Sequence, residues 1–262
     1  MEKNTELNKE MPTQTQDPAK MALYEEMMKA GLFVGRRTSK THPKMKPYIF
    51  GARNNASVID LEETLRLLDA ATDFVKQKVS EGGSVLLAGT SPTAKKSVLE
   101  TAERLRAPSV TERWLGGTLT NFKTLSKRIA YFKKLKSDKE TGRLDKYTKK
   151  ERLDIDRQIQ KMTTMFSGLE EMGAVPEVVL VVDVNAHLTA VREAKRLKIP
   201  VVGILNTDTD PELVTYPIPA NDRSKASIDW VLERLEKAVV EGRQLAKEKA
   251  AEAGAVQKAE AK

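Results

Sequence analysis

Three short runs of nearly unbroken apolar residues constrain this chain more than any other feature: Val85-Leu86-Leu87-Ala88, residues 178–182 and residues 201–205. A strand with one wetted face alternates apolar and polar residues. A run without alternation marks a strand covered on both faces, as in a parallel sheet between layers of helices. The intervening segments agree. Gly89-Thr90-Ser91-Pro92 opens a helix expected to run to about Arg106, a strand near residues 108–110 follows, and a helix over residues 186–198 joins the second run to the third. Strand, helix and strand at this spacing imply an α/β fold with a parallel sheet.

The remaining segments place helices around that sheet. Asp17 is the expected N-cap of a helix with Pro18 at its first position, an apolar stripe of Leu23, Met27 and Ala30, and Gly31 as its stop. Asp60, with Glu63 three positions on, caps a helix whose stripe is Leu61, Leu65, Leu68, Thr72, Val75 and Val79. Residues 207–220, with Pro211, Pro217 and Pro219, predict an irregular connection with room for one short edge strand. Ile228, Leu232, Leu235 and Val239 define a closing helix expected to continue past Gly242, which the Ala, Lys and Glu from Arg243 onward can prolong for some turns. The division expected is a disordered polar tail over 1–16, an α/β domain over 17–242 with a helical hairpin inserted at 121–170, and a charged, Ala-rich tail over 243–262 that frays for want of an apolar face.

The hairpin carries the charge. Residues 121–165 hold fourteen Lys or Arg against six Asp or Glu, an excess equal to the +8 of the whole chain. In its first half Phe122, Leu125, Ile129, Phe132 and Leu135 form one stripe while Lys123, Lys127, Arg128, Lys133 and Lys134 look outward. In its second half Ile155, Ile159, Met162, Phe166 and Leu169 repeat at the seam spacing of a coiled coil, after a capping box at Thr148 and Glu151. Solvation alone needs only balanced charges, so this excess points to a polyanion. A seam that closes on itself also predicts an arm separable from the sheet. A second basic stretch runs from Arg36 to Arg53 with Arg37, Lys40, Lys44 and Lys46 and no acidic residue. Pro43 and Pro47 deny it a helix, which predicts a loop or extended arm leading to a short strand at residues 48–50.

Several chemistries are excluded or weakly supported. No cysteine is present, so disulfides, thiolate metal sites and a cysteine nucleophile are out. Only two histidines occur, His42 and His187, with no second His or Cys near either, so no metal site and no cofactor is expected. No apolar run is long enough to span a membrane and no signal peptide is recognisable, which predicts a cytoplasmic protein. An enzyme or small-ligand-binding protein is the alternative. Gly89, Thr90, Ser91, Asp183, Asn185, Asn206, Thr207 and Asp208 would gather at the carboxyl ends of the strands, where such sheets bind ligands, and a phosphate would fit the helix start after Ser91. No phosphate-loop, dinucleotide or nucleophile-elbow motif supports it, and small polar residues are expected there as caps. Trp114, beside Arg113, either stacks on nucleic acid or plugs the base of the hairpin; both readings fit. Phosphate contacts position a protein but read little sequence, so a folded RNA suits two basic surfaces better than a DNA operator.

Arg113-Trp114-Leu115-Gly116-Gly117 and Leu119-Thr120-Asn121-Phe122-Lys123-Thr124 closely resemble a signature of the family of the second protein of the small ribosomal subunit, in its bacterial form. Pro43-Lys44-Met45-Lys46-Pro47-Tyr48-Ile49-Phe50-Gly51, with Arg53-Asn54 and Asp60-Leu61-Glu62, is similar to its other signature. Leu144, Leu153 and Thr148-Lys149-Lys150-Glu151 look like its hairpin, and Met172-Gly173, Pro176, Asp210-Pro211, Ile218-Pro219 and Asn221-Asp222 match further on. The resemblance covers roughly residues 21–242. It implies a flavodoxin-like parallel sheet with helices on both faces, a protruding antiparallel coiled-coil hairpin, no catalysis, and a cytoplasmic place on small-subunit rRNA. The implied neighbours are other small-subunit proteins, including the large messenger-binding protein, with no membrane contact and no homo-oligomer. On this reading the RNA-binding residues are Arg36, Arg37, Lys40, Lys44, Lys46, Arg53, Arg113, Trp114, Asn121, Lys123, Lys127 and Arg128. The chain departs from the family's Gly-x-His-Phe-Gly-His at Gly31-Leu32-Phe33-Val34-Gly35-Arg36, where both histidines are missing. It also departs at Thr41-His42, Ser91 and Arg223.

Overall fold

The structure, a computed structural model, describes residues 18–144 and 146–260; the side chains of Ala19 and of 250–260 are outside it. The tail expected over 1–16, the Asp17 cap and the last two residues lie outside the described residues. Five parallel strands form the body: β4 (Val85–Ala88), β5 (Ser109–Val110), β6 (Val178–Val182), β7 (Val201–Leu205) and β8 (Tyr216–Pro219), in the order β5-β4-β6-β7-β8. Numbered from β4, that order is 2-1-3-4-5, the flavodoxin-like arrangement. The three apolar runs are its three central strands. In β6, Val178, Leu180 and Val182 join the core on one face, while Val179 and Val181 join the core on the other. This parity is why the runs do not alternate. The expected edge strand is β8, and its Pro217 and Pro219 are tolerated because an edge needs donors on one side only.

One face is covered by α1 (Pro18–Ala30), α2 (Leu61–Ser80), α3 (Pro92–Leu105) and α7 (Lys225–Glu260). Asp60 caps α2, accepting the amides of Glu62 at 2.9 Å and Glu63 at 3.5 Å. α7 crosses α2 closely at Gly242, where a Cβ would sit 2.7 Å from the Lys76 carbonyl oxygen. α7 continues past Gly242 to Glu260, and Lys249 reaches the Ser80 hydroxyl at 3.2 Å. Arg243 donates to the Leu105 carbonyl at the end of α3, so lateral ties replace the missing apolar stripe.

The other face is covered by α6 (Leu188–Arg196) and by the inserted helices α4 (Phe122–Glu140) and α5 (Lys149–Phe166). α6 is shorter than expected because the turn before it is itself structured. Asp183 adopts φ +63°, its carboxylate accepts the Ala186 amide at 3.1 Å, and its carbonyl oxygen lies 2.8 Å from Nδ1 of His187. α4 and α5 run antiparallel, since Phe132 meets Phe166 with ring centroids 6.3 Å apart while Lys139 pairs with Asp156 at 2.7 Å. The capping box forms, with the Thr148 amide donating to Glu151 at 2.9 Å. The seam does not close on itself alone. Leu125, Ile129, Phe132, Leu135, Ile159 and Phe166 belong to one buried cluster with Trp114, Leu119, Leu86, Val179 and Val181, so the helices share the core of the sheet.

The basic stretch is not an extended arm. It folds into β1 (Val34–Arg37), a 3-10 turn at Thr38–Lys40, a second at Pro43–Tyr48, and β2 (Ile49–Arg53), which pairs with β3 (Ala56–Ile59) in a small antiparallel sheet of order β1-β3-β2. Proline excludes an α-helix but suits a short 3-10 turn, here with Pro43 at its first position and Met45 buried beneath it. Asn54 and Asn55 both have positive φ and make the two-residue turn joining β2 to β3, a role asparagine fills more readily than other non-glycine residues. Gly35 lets β1 approach closely: a Cβ there would lie 2.6 Å from the Ser57 carbonyl oxygen and 2.8 Å from a Thr207 methyl.

Candidate nucleic-acid interface

The small sheet divides the six basic residues of its segment into two groups. Arg37, Lys40, Lys46 and Arg53 are exposed and make no ion pair among the described residues. Arg36 and Lys44 face acidic residues from loops about 170 positions away. The Arg36 Nη2 lies 2.8 and 2.9 Å from the two carboxylate oxygens of Asp222, and its Nε lies 3.3 Å from Asp208. Its own amide donates to the Thr207 hydroxyl at 2.9 Å. Lys44 pairs with Asp210 at 3.1 Å and with Glu212. The sequence places both among the RNA-binding residues because their own segment has no acid; the fold brings Asp208, Asp210 and Glu212 from the connection after β7 and Asp222 from the loop between β8 and α7.

Behind Arg36 lies the edge where a ligand site was the alternative; several of its polar groups bond one another, while Asp208 Oδ1 and His187 Nε2 are buried without a hydrogen-bond partner among the described residues. Asn206 is buried and donates to Asp222 at 3.0 Å, and His42 donates its amide to the Thr207 carbonyl at 2.8 Å. Asn185 donates to the Asp208 carbonyl at 3.4 Å. Burial, reinforced by Asp183 and Asp208, holds the Asp222 carboxyl above its ordinary range against the opposing pull of Asn206 and Arg36. Among the described residues no group of three or more His, Cys, Asp or Glu is placed to hold a metal ion. His42 instead accepts the Lys44 amide at 3.3 Å and starts the second 3-10 turn. His187 is buried.

The turn between β5 and α4 is built around a residue that sequence reasoning missed. Glu193 of α6 is 8 % exposed, and its carboxylate accepts the Trp114 indole N–H at 3.2 Å and the amides of Gly117 at 2.8 Å, Leu119 at 3.0 Å and Thr120 at 3.2 Å. Burial pushes a carboxyl up, yet these donors outweigh it and hold Glu193 below its ordinary range. No local pattern marks this glutamate, because its partners lie more than seventy positions earlier. The clamp decides between the two readings of Trp114. The ring is 9 % exposed and packs with the hairpin base, so it plugs the core and offers no face to a base.

The same clamp sets out the rest of the second basic surface. Gly117 adopts φ +90° and its carbonyl accepts the Asn121 amide at 2.9 Å, which starts α4. Asn121 is exposed, and its side chain makes no capping bond to the helix. Arg113, Lys123, Lys127 and Arg128 are exposed and form no ion pair among the described residues. Lys133 and Lys134 extend the same basic exterior, whereas Lys136 pairs with Glu170 at 2.9 Å. No described helix is long and apolar enough to cross a membrane.

Comparison with known proteins agrees with this architecture. The family model described as ribosomal protein S2 matches residues 27–242. The small ribosomal subunit protein uS2 of Dictyoglomus turgidum is 40% identical over 228 residues, covering 87% of this chain and 93% of the relative. That of Coprothermobacter proteolyticus is 39% identical over 220 residues, covering 84% and 82%, and that of Desulfatibacillum aliphaticivorans is 41% identical over 225 residues, covering 86% and 76%. With a flavodoxin-like sheet, an inserted helix pair and a match across nearly all of the folded body, the chain belongs to the ribosomal protein S2 family.

Proposed function

We propose that this protein is a non-catalytic, structural constituent of the small ribosomal subunit in the cytoplasm, holding small-subunit rRNA and packing against neighbouring ribosomal proteins. The observation that carries the RNA contact is the set of exposed cations without an ion-pair partner among the described residues: Arg37, Lys40, Lys46 and Arg53 on the small sheet, and Arg113, Lys123, Lys127 and Arg128 at the base of the hairpin. A cation with no internal partner is available to phosphate, and its contact releases counterions from the nucleic acid. Asn121, whose side chain makes no capping bond, adds a neutral donor and acceptor beside the hairpin-base group at the start of α4. Arg36 and Trp114 support the fold of this surface from beneath, and Lys44 ties it to Asp210 and Glu212 at the exterior. The partners include the large messenger-binding protein that the resemblance implies.

Binding to a small-subunit rRNA transcript over a salt series tests this. Changing Arg37 and Arg53 to Gln should weaken binding and shallow the slope of log K against log salt by about 0.7–0.9 for each phosphate no longer neutralised. An unchanged slope would mean that these residues face a protein. A stoichiometric thermal shift with a metabolite, abolished in Thr90 or Asp183 variants, would restore the enzyme reading.

A further inference from the structure

Phe50 is the most exposed large hydrophobic side chain among the described residues, at 65 %. It sits where β2 bulges: Ile49 pairs with Ile59 and Gly51 with Val58, so Phe50 is the extra residue in the ladder. A bulge re-aims a side chain, and this one aims an aromatic ring into solvent. The row beside it is basic. Arg37 and Arg53 are both cross-strand partners of Ala56, so the two guanidiniums flank that alanine on one face of the sheet, with backbones about 10 Å apart. Gly51 and Val34 lie on the same face as cross-strand partners of Val58, and a Cβ at Gly51 would meet nothing within 4 Å, so the surface beside the ring is open. A shallow polar concavity bounded by Arg37, Thr38, Ser39, Asn54 and Asn55 continues it at the turn end. No acidic residue occurs between Arg36 and Arg53; of the acids brought from elsewhere, Asp210 and Glu212 are taken by Lys44, and Asp60, whose amide donates to the Tyr48 carbonyl at 3.0 Å, has its carboxylate engaged in capping α2.

We propose that this sheet face is a platform for single-stranded RNA, with Phe50 stacking on one unpaired base and Arg37 and Arg53 taking the phosphates on either side. The proposal rests on the RNA-binding reading above and adds to it the conformation of RNA that the site accepts. A duplex keeps its bases stacked on one another and offers no face to a ring, so an aromatic between free cations suits a looped-out or unpaired nucleotide. A protein partner would favour a broad apolar patch with a polar rim. Here one ring stands among cations, with only small or half-exposed aliphatic neighbours.

The test uses the full chain, a small-subunit rRNA transcript, and the variants F50A, F50L and F50W. F50A should lose about tenfold or more in affinity at unchanged salt slope, because the change removes a stacking surface and leaves every phosphate-binding cation in place. F50L should lose nearly as much, since it keeps the apolar volume but not the flat face, and F50W should bind within a few-fold of the original. The F50W indole should be quenched by the transcript, against a background of two tryptophans that are both buried. An F50L variant that binds like the original protein, or an unquenched F50W, would overturn the stacking. So would F50A binding naked rRNA normally while failing only on subunits that carry the other proteins; that result assigns the face to a protein. If neither F50A nor the Arg37 and Arg53 changes alter rRNA binding, the RNA-binding reading of this sheet fails as a whole. Should F50A lower the melting temperature, the comparison of F50L with F50W, both large and apolar, still decides.

Discussion

The buried carboxylate of Glu193 accepts the indole N–H of Trp114 at 3.2 Å, and through it α6 holds the turn that launches the inserted helices. The same carboxylate takes three backbone amides of that turn, so one side chain sets the direction in which α4 leaves the sheet. With the Thr120 hydroxyl at 3.2 Å as well, removing it would leave five donors without their acceptor.

Glu193→Ala is therefore expected to lower stability by about 3 kcal/mol, measured by urea unfolding. The pH dependence follows from the depressed carboxyl. A group whose folded value lies below its unfolded one contributes stability that is fully present above the unfolded value and lost as pH falls through the folded value. The gap between the original protein and the variant should thus be widest near neutral pH and close under acid. A gap that does not change with pH would show that the carboxylate charge contributes nothing to the clamp.

Both tryptophans are buried, Trp114 against the hairpin base and Trp230 under the guanidinium of Arg234 at 3.3 Å. The native tryptophan emission should be unchanged by added rRNA. Trp114→Phe should cost about 1 kcal/mol through the missing N–H donor and leave RNA affinity unaltered. Quenching of native emission at stoichiometric RNA would contradict the assignment of Trp114 to the core.

Arg36 and Arg53 are both arginines of one short segment, and they should behave differently. Arg36→Gln leaves Asp222 buried without its cation and should destabilise the protein by about 3 kcal/mol, with the salt slope of RNA binding unchanged. Asp222 already titrates above its ordinary range, so the folded state holds its proton more tightly than the unfolded chain does. Its ionisation opposes folding, and this penalty disappears as pH falls below the unfolded value. Removing Arg36 should enlarge that relative gain in acid. Arg53→Gln should do the reverse in both assays, leaving stability within about 0.5 kcal/mol and shallowing the salt slope.

Phe132 lies on the inserted helix α4 but is fully buried in the cluster that includes Val179 and Val181 of β6. Phe132→Ala should lower stability by about 3–5 kcal/mol, and the helices and the sheet should still unfold in one transition by circular dichroism and hydrogen exchange. Separate transitions would mean that the inserted helices form an independent unit. Replacing residues 121–165 by a linker should expose Trp114 and Leu119 and abolish cooperative folding, whereas trimming only residues 140–155 should preserve it.

The elements themselves were legible in the sequence because each follows from a pattern within one turn or one strand. Unbroken apolar runs marked β4, β6 and β7, three-and-four spacing marked α2, α4 and α5, and Thr148 with Glu151 marked the start of α5. The charge excess of residues 121–165 was equally a matter of counting. What the residues face was decided by tertiary structure. Arg36 and Lys44 look like free cations until the loop after β7 brings Asp208, Asp210 and Glu212, and the loop after β8 brings Asp222, beside them. Glu193 looks like one more charge on an amphipathic helix until the turn at Trp114 folds over it. Phe50 reads as a strand residue until a bulge turns it outward. Periodicity reports which side of its own element a residue occupies, whereas ion pairing, clamping and exposure depend on which distant segment arrives at that side.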